Sequence, residues 1–370
     1  MNPFRYGQVV SDRDFCSRPS LLKQLMNFVD TGQNVFLQGE RRTGKTSLIH
    51  ETLRRLSGYK LLYIDLLEVK IIDDLCRRMI TSIVRSERRA GFQRKLMNTL
   101  SHLRPSLSMN PVTGFPTVSF DSRIGMKPDT IEGILDLIAE LGRKKKLVVA
   151  FDEFQDVLNI RESAQALALM RSRIQFQSNI TFIFAGSVRN QMNGIFTDPE
   201  SPFFKSAAAL EVGPIDGKTF VPFLRRKFAS GRRDISAETV DAAIRMAGNI
   251  PGDVQELCAC IWDTTSADEK LTKEHLAPGL NMIFARERKA YEATLIQLTG
   301  QQLRCLIVLA ETDSIKTLSS EFLEKTGIRT TSSVQAALKR LVKLKIIYRH
   351  KGAYRLANPF FGSWLIWNGY

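Results

Sequence analysis

Residues 39–46 are Gly39-Glu40-Arg41-Arg42-Thr43-Gly44-Lys45-Thr46, and they match the pattern G-x-x-x-x-G-K-S/T at every fixed position. The segment 34–38, whose three central residues are apolar, precedes them and a helical pattern over residues 47–56 follows, so a strand, a loop and a helix are predicted in that order. Glycines let the backbone approach phosphate oxygens closely, and the amides at the start of the helix point at the anion. The stretch therefore predicts a loop that holds nucleotide phosphates.

The residues of this loop are assigned to a nucleotide and to a metal ion. Lys45 is expected to reach the β- and γ-phosphate oxygens and to take part in catalysis, and Thr46 to hold Mg²⁺ through its hydroxyl. The residues predicted to bind the nucleotide are Gly39, Glu40, Arg41, Arg42, Thr43, Gly44, Lys45, Thr46 and Ser47. ATP and Mg²⁺ are the predicted cofactors.

A second apolar strand, over residues 147–151, ends in two acids. A strand buried on both faces is apolar at every position, and ligands bind at the carboxyl ends of such strands. Asp152 is therefore predicted to hold the Mg²⁺ shell, and Glu153 to orient and deprotonate the attacking water. A third strand, over residues 181–185, leads to Ser187, which is predicted to act beside the γ-phosphate as a third catalytic residue, with Arg189 and Asn190 behind it.

The fold class follows from the alternation of strands and helices in the first half of the chain. The predicted strands cover residues 34–38, 60–66, 146–151 and 180–185, with amphipathic helical patterns between them. This order predicts an α/β domain over residues 1–213, in which helices cover both faces of a parallel sheet. Pro111, Gly114 and Pro116 mark a turn between two β-prone pieces, so a β-hairpin insertion is predicted near residues 104–122.

Helical patterns replace strands after Gly213. Four helices are predicted, over residues 218–229, 236–247, 251–263 and 272–297, with a break at Pro278, and together they form a helical subdomain over residues 214–297. Residues 298–370 then contain three helical stretches and two β pieces around Lys351 and Gly352. That order predicts a C-terminal winged helix-turn-helix domain.

Composition excludes several classes of protein. Of the 370 residues, 44% are hydrophobic, which excludes a disordered chain. The apolar runs fall far short of the ~20 residues that cross a bilayer, and the N-terminus lacks a signal-peptide core, so a soluble protein without a membrane partner is expected. The five scattered cysteines are odd in number, which predicts buried thiols in a reducing cytoplasm.

Basic residues are concentrated near the C-terminus. Residues 281–370 hold 14 Lys+Arg and 6 Asp+Glu, a net +8 of the total +15. The helix predicted over residues 330–345 carries hydroxyl and basic residues that suit phosphate and base-edge contacts in the major groove. The residues predicted to bind double-stranded DNA are Arg329, Thr330, Ser332, Lys339, Arg340, Lys343, Arg349 and Lys351. Docking of a protein stays open as the alternative, and the stripe Val334, Leu338, Leu341, Val342 and Leu344 is predicted to be core.

Taken together, these motifs resemble the archaeal-type P-loop ATPases of the AAA+/STAND-related group. The resemblance rests on residues 39–47, 151–155 and 185–187, and it extends to residues 15–18, which are similar to a segment that often touches adenine in that family. It implies an ATPase core, a helical lid and a winged helix. Residues 248–252 look like the family's lid turn, which adds Pro251 to the nucleotide-binding residues.

Several positions depart from that family's pattern. Lys205 stands where relatives often carry a finger arginine, no arginine follows Pro251, and Asn249 replaces the second glycine of the lid turn. Lysine lacks the planar fork of arginine, so slow hydrolysis is expected. Many relatives continue into a nuclease-like domain, whereas this sequence stops at Tyr370, so any effector is expected on a separate protein.

Three functional hypotheses follow. In the first, an ATPase with Mg²⁺-ATP between the sheet domain and the lid controls DNA binding or partner engagement through the winged helix. In the second, a STAND-like signalling switch binds a protein effector. In the third, a target-selecting ATPase of a mobile element assembles as an ATP-dependent homo-oligomer on DNA.

Overall fold

In the computed structural model, the described residues are 1–87, 90–101, 104–109, 116–120, 125–187, 189–312, 317–350 and 352–370. They divide into two units, one formed by Val9–Gly213 and the other by Met1–Gln8 with Pro214–Tyr370. The division after Gly213 lies at the point where the sequence pattern changes from strands to helices. A further boundary at residues 297/298 stays a prediction.

A five-stranded parallel sheet forms the centre of the first unit, in the order β2-β5-β6-β1-β7. The strands of this unit are β1 (Val35–Gln38), β2 (Tyr59–Asp65), β3 (Ser106–Met109), β4 (Pro116–Ser119), β5 (Lys146–Asp152), β6 (Ile180–Gly186) and β7 (Ala208–Glu211). The short edge strand β7 was not predicted, because Ala and Glu are depleted in strands and its Ala-Ala-Leu-Glu sequence has no β-branched or aromatic residue. Strands β3 and β4 pair antiparallel where the hairpin was predicted, and residues 110–115 between them lie outside the described residues.

Helices pack on both faces of the sheet, as predicted from the alternating pattern. They are α1 (Pro19–Asp30), α2 (Lys45–Arg55), α3 (Ile72–Ser86), α4 (Ala90–Thr99), α5 (Asp129–Lys144), α6 (Ser163–Ile174) and α7 (Arg189–Phe196). Val148 and Ala150 of β5 belong to one core with α1 and α2, whereas Val149 and Phe151 belong to the core on the other face with α3 and α5. The predicted α/β fold class is confirmed.

The second unit begins with helices α8 (Gly217–Ala229), α9 (Ala237–Met246), α10 (Pro251–Asp263) and α11 (Leu276–Ile296). The expectation that strands stop at Gly213 is wrong, since β8 (Asp234–Ile235) and β9 (Lys270–Leu271) form a small parallel pair. The expected break at Pro278 is also wrong. Pro278 is the third residue of α11, and a backbone N–H in the first turn has no acceptor within the helix, so its absence costs little.

The C-terminal segment has the winged-helix order that the sequence predicts. It consists of α12 (Gly300–Glu311), α13 (Ser320–Thr326), α14 (Thr331–Lys343), β10 (Ile347–His350), β11 (Ala353–Leu356) and α15 (Pro359–Trp367). On α14, Val334, Leu338 and Leu341 are buried as expected, but Val342 is 40% exposed, and Leu344, the residue after the helix, is only half-buried. Those two core predictions are wrong, because each helical residue advances about 100° and Val342 therefore leaves the face that Leu341 shares with Val334.

Two further findings concern the classes that composition excluded. All five cysteines are buried, and none of them is in a disulfide bond. In the part of the chain that the structure describes, no helix is long and apolar enough to cross a membrane.

Candidate nucleotide site

The phosphate loop connects β1 to α2 and contains two left-handed backbone positions. Gly44 has φ +89° and Arg42 has φ +64°. Gly39 is confined by its surroundings, since a Cβ added to it would lie 2.3 Å from the carbonyl oxygen of Val212. Two glycines are therefore required at the ends of the loop for different reasons, one for close approach and one for backbone conformation.

Lys45 is the first residue of α2, and its side chain folds back over the loop. Its Nζ donates to the carbonyl oxygens of Gly39 at 2.8 Å and Glu40 at 2.9 Å. Burial lowers the pKa of Lys45, while the neighbouring Glu153 and Asp152 carboxylates act in the opposite direction. A cation held in this way at the start of a helix is suited to an anionic ligand.

Thr46 and Asp152 meet although 106 positions separate them in the sequence. The Thr46 hydroxyl donates to Oδ2 of Asp152 at 2.6 Å, and the backbone N–H of Glu153 donates to Oδ1 at 3.0 Å. A hydroxyl and a carboxylate are the hard oxygen donors that Mg²⁺ prefers, so the pair fits this ion. Within the described ranges, no group of three or more His, Cys, Asp and Glu residues could hold a metal ion.

Glu153 and Ser187 are also brought together. Ser187 donates from Oγ to Oε2 of Glu153 at 2.6 Å, and Gln155 donates from Nε2 to the same oxygen at 2.7 Å. Gln155 in turn accepts at Oε1 from the Ser187 backbone N–H at 3.3 Å. The sequence placed Gln155 in the family pattern without a role, whereas the structure shows that it joins the two predicted catalytic residues.

Arg18 is a buried residue of the site, and it ends the segment 15–18 that resembles the family's adenine-contacting segment. Its guanidinium donates to the carbonyl oxygen of Thr43 in the phosphate loop and to that of Gly213, both at 2.7 Å. Burial lowers the pKa of Arg18 to about 10. The resemblance marked the segment, but nothing in the sequence indicated that the Arg18 side chain would connect the phosphate loop to Gly213.

The segment before α1 is tied to α2 as well. The backbone N–H of Val10 donates to Oγ of Ser47 at 3.1 Å. Ser47 was predicted to bind the nucleotide, and its hydroxyl here accepts a hydrogen bond from the backbone. The backbone N–H of Asp12 donates to Oε2 of Glu51 at 3.1 Å, and hydrogen bonds from Arg54 lead the causes that lower the pKa of Glu51 to about 2.

Tyr63 was missed altogether by sequence reasoning. It lies on β2, and its hydroxyl donates to Oδ2 of Asp152 at 2.6 Å. Burial, followed by the charge of Asp152, raises the pKa of Tyr63, and its ring packs against His50 at 5.5 Å between centroids. A tyrosine in a strand is an ordinary observation, so nothing in the sequence marked this one.

The remaining predicted residues are distributed as follows. Arg41 and Arg42 are exposed on the loop, and Thr43 is buried with its hydroxyl donating to the Glu40 carbonyl oxygen at 2.8 Å. Pro251 is the first residue of α10 and belongs to the second unit. The side chains of Arg189 and Asn190 lie outside the described residues.

The winged helix presents a basic surface on α14 and β10. Lys339, Arg340 and Lys343 are exposed on α14, Arg329 is exposed just before it, and Arg349 is exposed on β10. Within the described part of the chain, none of these five residues forms an ion pair. Thr330 caps α14 by accepting from the Ser333 backbone N–H at 3.3 Å, and Ser332 donates to the Thr330 hydroxyl. Lys351 lies outside the described residues.

Comparisons with family models cover both parts of the chain. A model described as "ATPase domain predominantly from Archaea" matches residues 15–257, and one described as "Probable winged helix domain" matches residues 289–367. A search of curated proteins gives no significant match.

Solved structures with the same fold include three archaeal proteins. The Walker-type ATPase PABY2304 of Pyrococcus abyssi aligns over 98% of this chain and 99% of its own, at 21% identity and a TM-score of 0.67. The ORC1 protein of Aeropyrum pernix, solved in complex with DNA, covers 95% of this chain and 93% of its own, at 13% identity and a TM-score of 0.52. The A. pernix ORC2 protein, in ADPNP-ADP complexes, covers 92% and 88%, at 16% identity and 0.51.

Proposed function

Because this chain belongs to the family of ATPase domains predominantly from Archaea and carries a C-terminal winged helix domain, we propose that it binds Mg²⁺-ATP at the phosphate loop and hydrolyses it slowly. The family predicted from the sequence is confirmed. The observation that carries the proposal is the convergence of Lys45, Thr46 and Asp152, with the Thr46 hydroxyl 2.6 Å from the Asp152 carboxylate.

Each residue of the site has a distinct role in this proposal. Lys45 binds the β- and γ-phosphate oxygens, and Thr46 with Asp152 holds Mg²⁺, which neutralises phosphate charge when bound. Glu153 accepts a proton from the attacking water at its carboxylate. Ser187 and Gln155 orient that carboxylate through their hydrogen bonds to Oε2. The exposed Lys205, which stands in the place of a finger arginine, supports slow turnover.

Replacement of Lys45 by Ala tests ATP binding. The variant loses the buried Lys45 ammonium that contacts the loop, so binding of a fluorescent ATP analogue is expected to be abolished. Lys23→Ala, at an exposed position of α1, is the matched control and should bind as the wild type does. If Lys45→Ala binds ATP with the wild-type Kd, the phosphate loop is not the nucleotide site.

A second role concerns double-stranded DNA. The winged helix exposes five unpaired cations on or beside α14 and β10, within the described residues, and the A. pernix ORC1 protein of the same fold was solved in complex with DNA. Cations at a recognition helix bind phosphates, and exposed hydroxyls such as Ser332 suit contacts to base edges. We infer that ATP controls how this surface binds DNA, with a separately encoded protein effector as the alternative partner.

The location of the protein is part of the same proposal. Five buried cysteines outside disulfide bonds support a reducing, cytoplasmic environment. ATP-dependent assembly into homo-oligomers stays a prediction.

A further inference from the structure

Both oxygens of the Asp152 carboxylate are held by donors, and one donor comes from a neighbouring strand. Oδ2 accepts from the Thr46 hydroxyl and from the Tyr63 hydroxyl, each at 2.6 Å, and Oδ1 accepts from the Glu153 backbone N–H at 3.0 Å. We propose that Tyr63 is a positioning residue, which orients Asp152 for Mg²⁺ bound together with ATP. This inference rests on the proposed function.

The register of the sheet explains why a tyrosine can do this. Strands β2 and β5 pair parallel, with Tyr63 opposite Ala150 and Asp65 opposite Asp152. Side chains two positions apart share a face of the sheet, so Tyr63 and Asp152 lie on the same face, displaced by two residues or roughly 6.6 Å along the strand. The long ring of Tyr63 spans that distance, which a serine or threonine hydroxyl at the same position would not reach.

The packing around Tyr63 holds its hydroxyl in place. The residue is half-buried, its ring packs against His50 of α2, and it lies against the core that includes Leu48 and Ala150. The phenol is therefore fixed by contacts that do not involve Asp152. A fixed donor restricts rotation of the carboxylate, whose terminal torsion is otherwise broad.

The consequence concerns the metal more than the nucleotide. A Thr46 hydroxyl that donates its hydrogen to Asp152 keeps its lone pairs available for Mg²⁺, and the orientation of Asp152 depends on Tyr63. Loss of the phenol hydroxyl leaves Lys45 and the loop unchanged, so binding of ATP without a metal should be retained. The increase in ATP affinity that Mg²⁺ causes should be smaller without the Tyr63 hydroxyl.

The experiment compares two tyrosines of the same strand. Tyr59 begins β2, and its hydroxyl also donates to an aspartate, Oδ1 of Asp30, at 3.1 Å. Tyr63→Phe and Tyr59→Phe therefore remove the same atom and the same type of hydrogen bond at two positions of one strand. Binding of a fluorescent ATP analogue is measured for the wild type and both variants, in EDTA and in excess MgCl₂.

The quantity compared is the ratio of the Kd in EDTA to the Kd in MgCl₂. In Tyr63→Phe this ratio is expected to fall about tenfold, the lower end of the loss seen when a metal ligand loses its hydrogen-bond partner. Tyr59→Phe should keep the wild-type ratio. Both Kd values of a ratio are measured on one protein sample. A smaller folded fraction in a variant therefore affects both values alike and leaves the ratio unchanged.

The outcomes separate this inference from the proposed function. If the wild type shows Mg²⁺-dependent ATP binding and Tyr63→Phe keeps the same ratio, Tyr63 does not position Asp152. If the ratio falls equally in both variants, loss of a tyrosine hydroxyl disturbs strand β2 in general, and the inference is wrong. Failure of the wild type to bind ATP overturns the proposed function itself.

Discussion

At the scale of single residues, the site depends on short hydrogen bonds between side chains that are far apart in the sequence. Glu153 has φ +49°, in the left-handed region that non-glycine residues seldom adopt, and it directly follows β5. Its Oε2 accepts from Ser187 and from Gln155. An uncommon backbone conformation together with two donors aims this carboxylate in a defined direction, as a general base requires.

Glu153→Gln tests that role. The amide keeps the size of the side chain but has no basic oxygen to accept a proton, so turnover of ATP should fall by about 100-fold or more. Binding of ATP should be retained, since Lys45 and Thr46 are unchanged. Phosphate release and the Kd are both measured, with Glu200→Gln at an exposed position as the control. Unchanged turnover in Glu153→Gln would assign the base to another residue.

At the scale of structural elements, the start of the phosphate loop is packed against the end of the edge strand β7. The Val212 backbone N–H donates to the Gln38 carbonyl oxygen at 2.8 Å, and the Val212 carbonyl oxygen occupies the space where a Cβ of residue 39 would lie. The residue that follows β7, Val212, thus packs directly against the start of the phosphate loop. The loop is shaped by a strand that the sequence did not predict.

Gly39→Ala should damage both stability and binding. The added methyl would meet a backbone oxygen at 2.3 Å, so strand or loop must shift, at a cost of about 1–3 kcal/mol. Thermal unfolding should show a lower Tm, and ATP should bind more weakly. Gly194→Ala on α7, where a Cβ meets nothing within 4 Å, should instead raise the free energy of unfolding by about 0.5 kcal/mol. A Gly39→Ala protein with wild-type Tm and Kd would contradict the packing argument.

At the scale of the whole molecule, positive charge is concentrated in the last 90 residues of the chain. Residues 281–370 carry a net +8 of the total +15, and the exposed cations of α14 belong to this part. Clustered positive charge binds phosphates without sequence preference and makes binding depend steeply on salt. The basic composition therefore supports a nucleic-acid partner most strongly for the winged helix.

Charge reversal on α14 tests this at the level of the full chain. Lys339→Glu with Arg340→Glu should weaken binding to duplex DNA and reduce the slope of log K against log salt by about 2, because two phosphate contacts are lost. Lys289→Glu with Arg304→Glu makes the same change of charge at exposed positions of α11 and α12 and should have a smaller effect. Gel shifts with and without ATP give both values. If both double variants lose DNA affinity equally, DNA is attracted by the overall positive charge and not by α14 in particular. If the wild type does not bind DNA, a protein effector is the favoured partner.

Much of the fold and part of the site could be predicted because the relevant residues are contiguous. The phosphate loop is eight consecutive residues, and the two acids directly follow an apolar strand, so local spacing was sufficient to find Lys45, Thr46, Asp152 and Glu153. Periodicity also identified the parallel α/β sheet and the winged helix. It failed at Val342, where a rotation of about 100° along the helix separates a buried position from an exposed one.

The sequence by itself thus determined the type of domain and the loop that is proposed to bind phosphate, since both depend on neighbours along the chain. Only the tertiary structure decided that Tyr63 reaches Asp152, that Gln155 joins Ser187 to Glu153, and that Arg18 ties Thr43 to Gly213. The first contact depends on the pairing of β2 with β5, the second on that of β5 with β6, and the third on that of β1 with β7. Pairing between strands brings together residues that no local pattern relates, because the partner of each strand is chosen by the packing of the whole sheet.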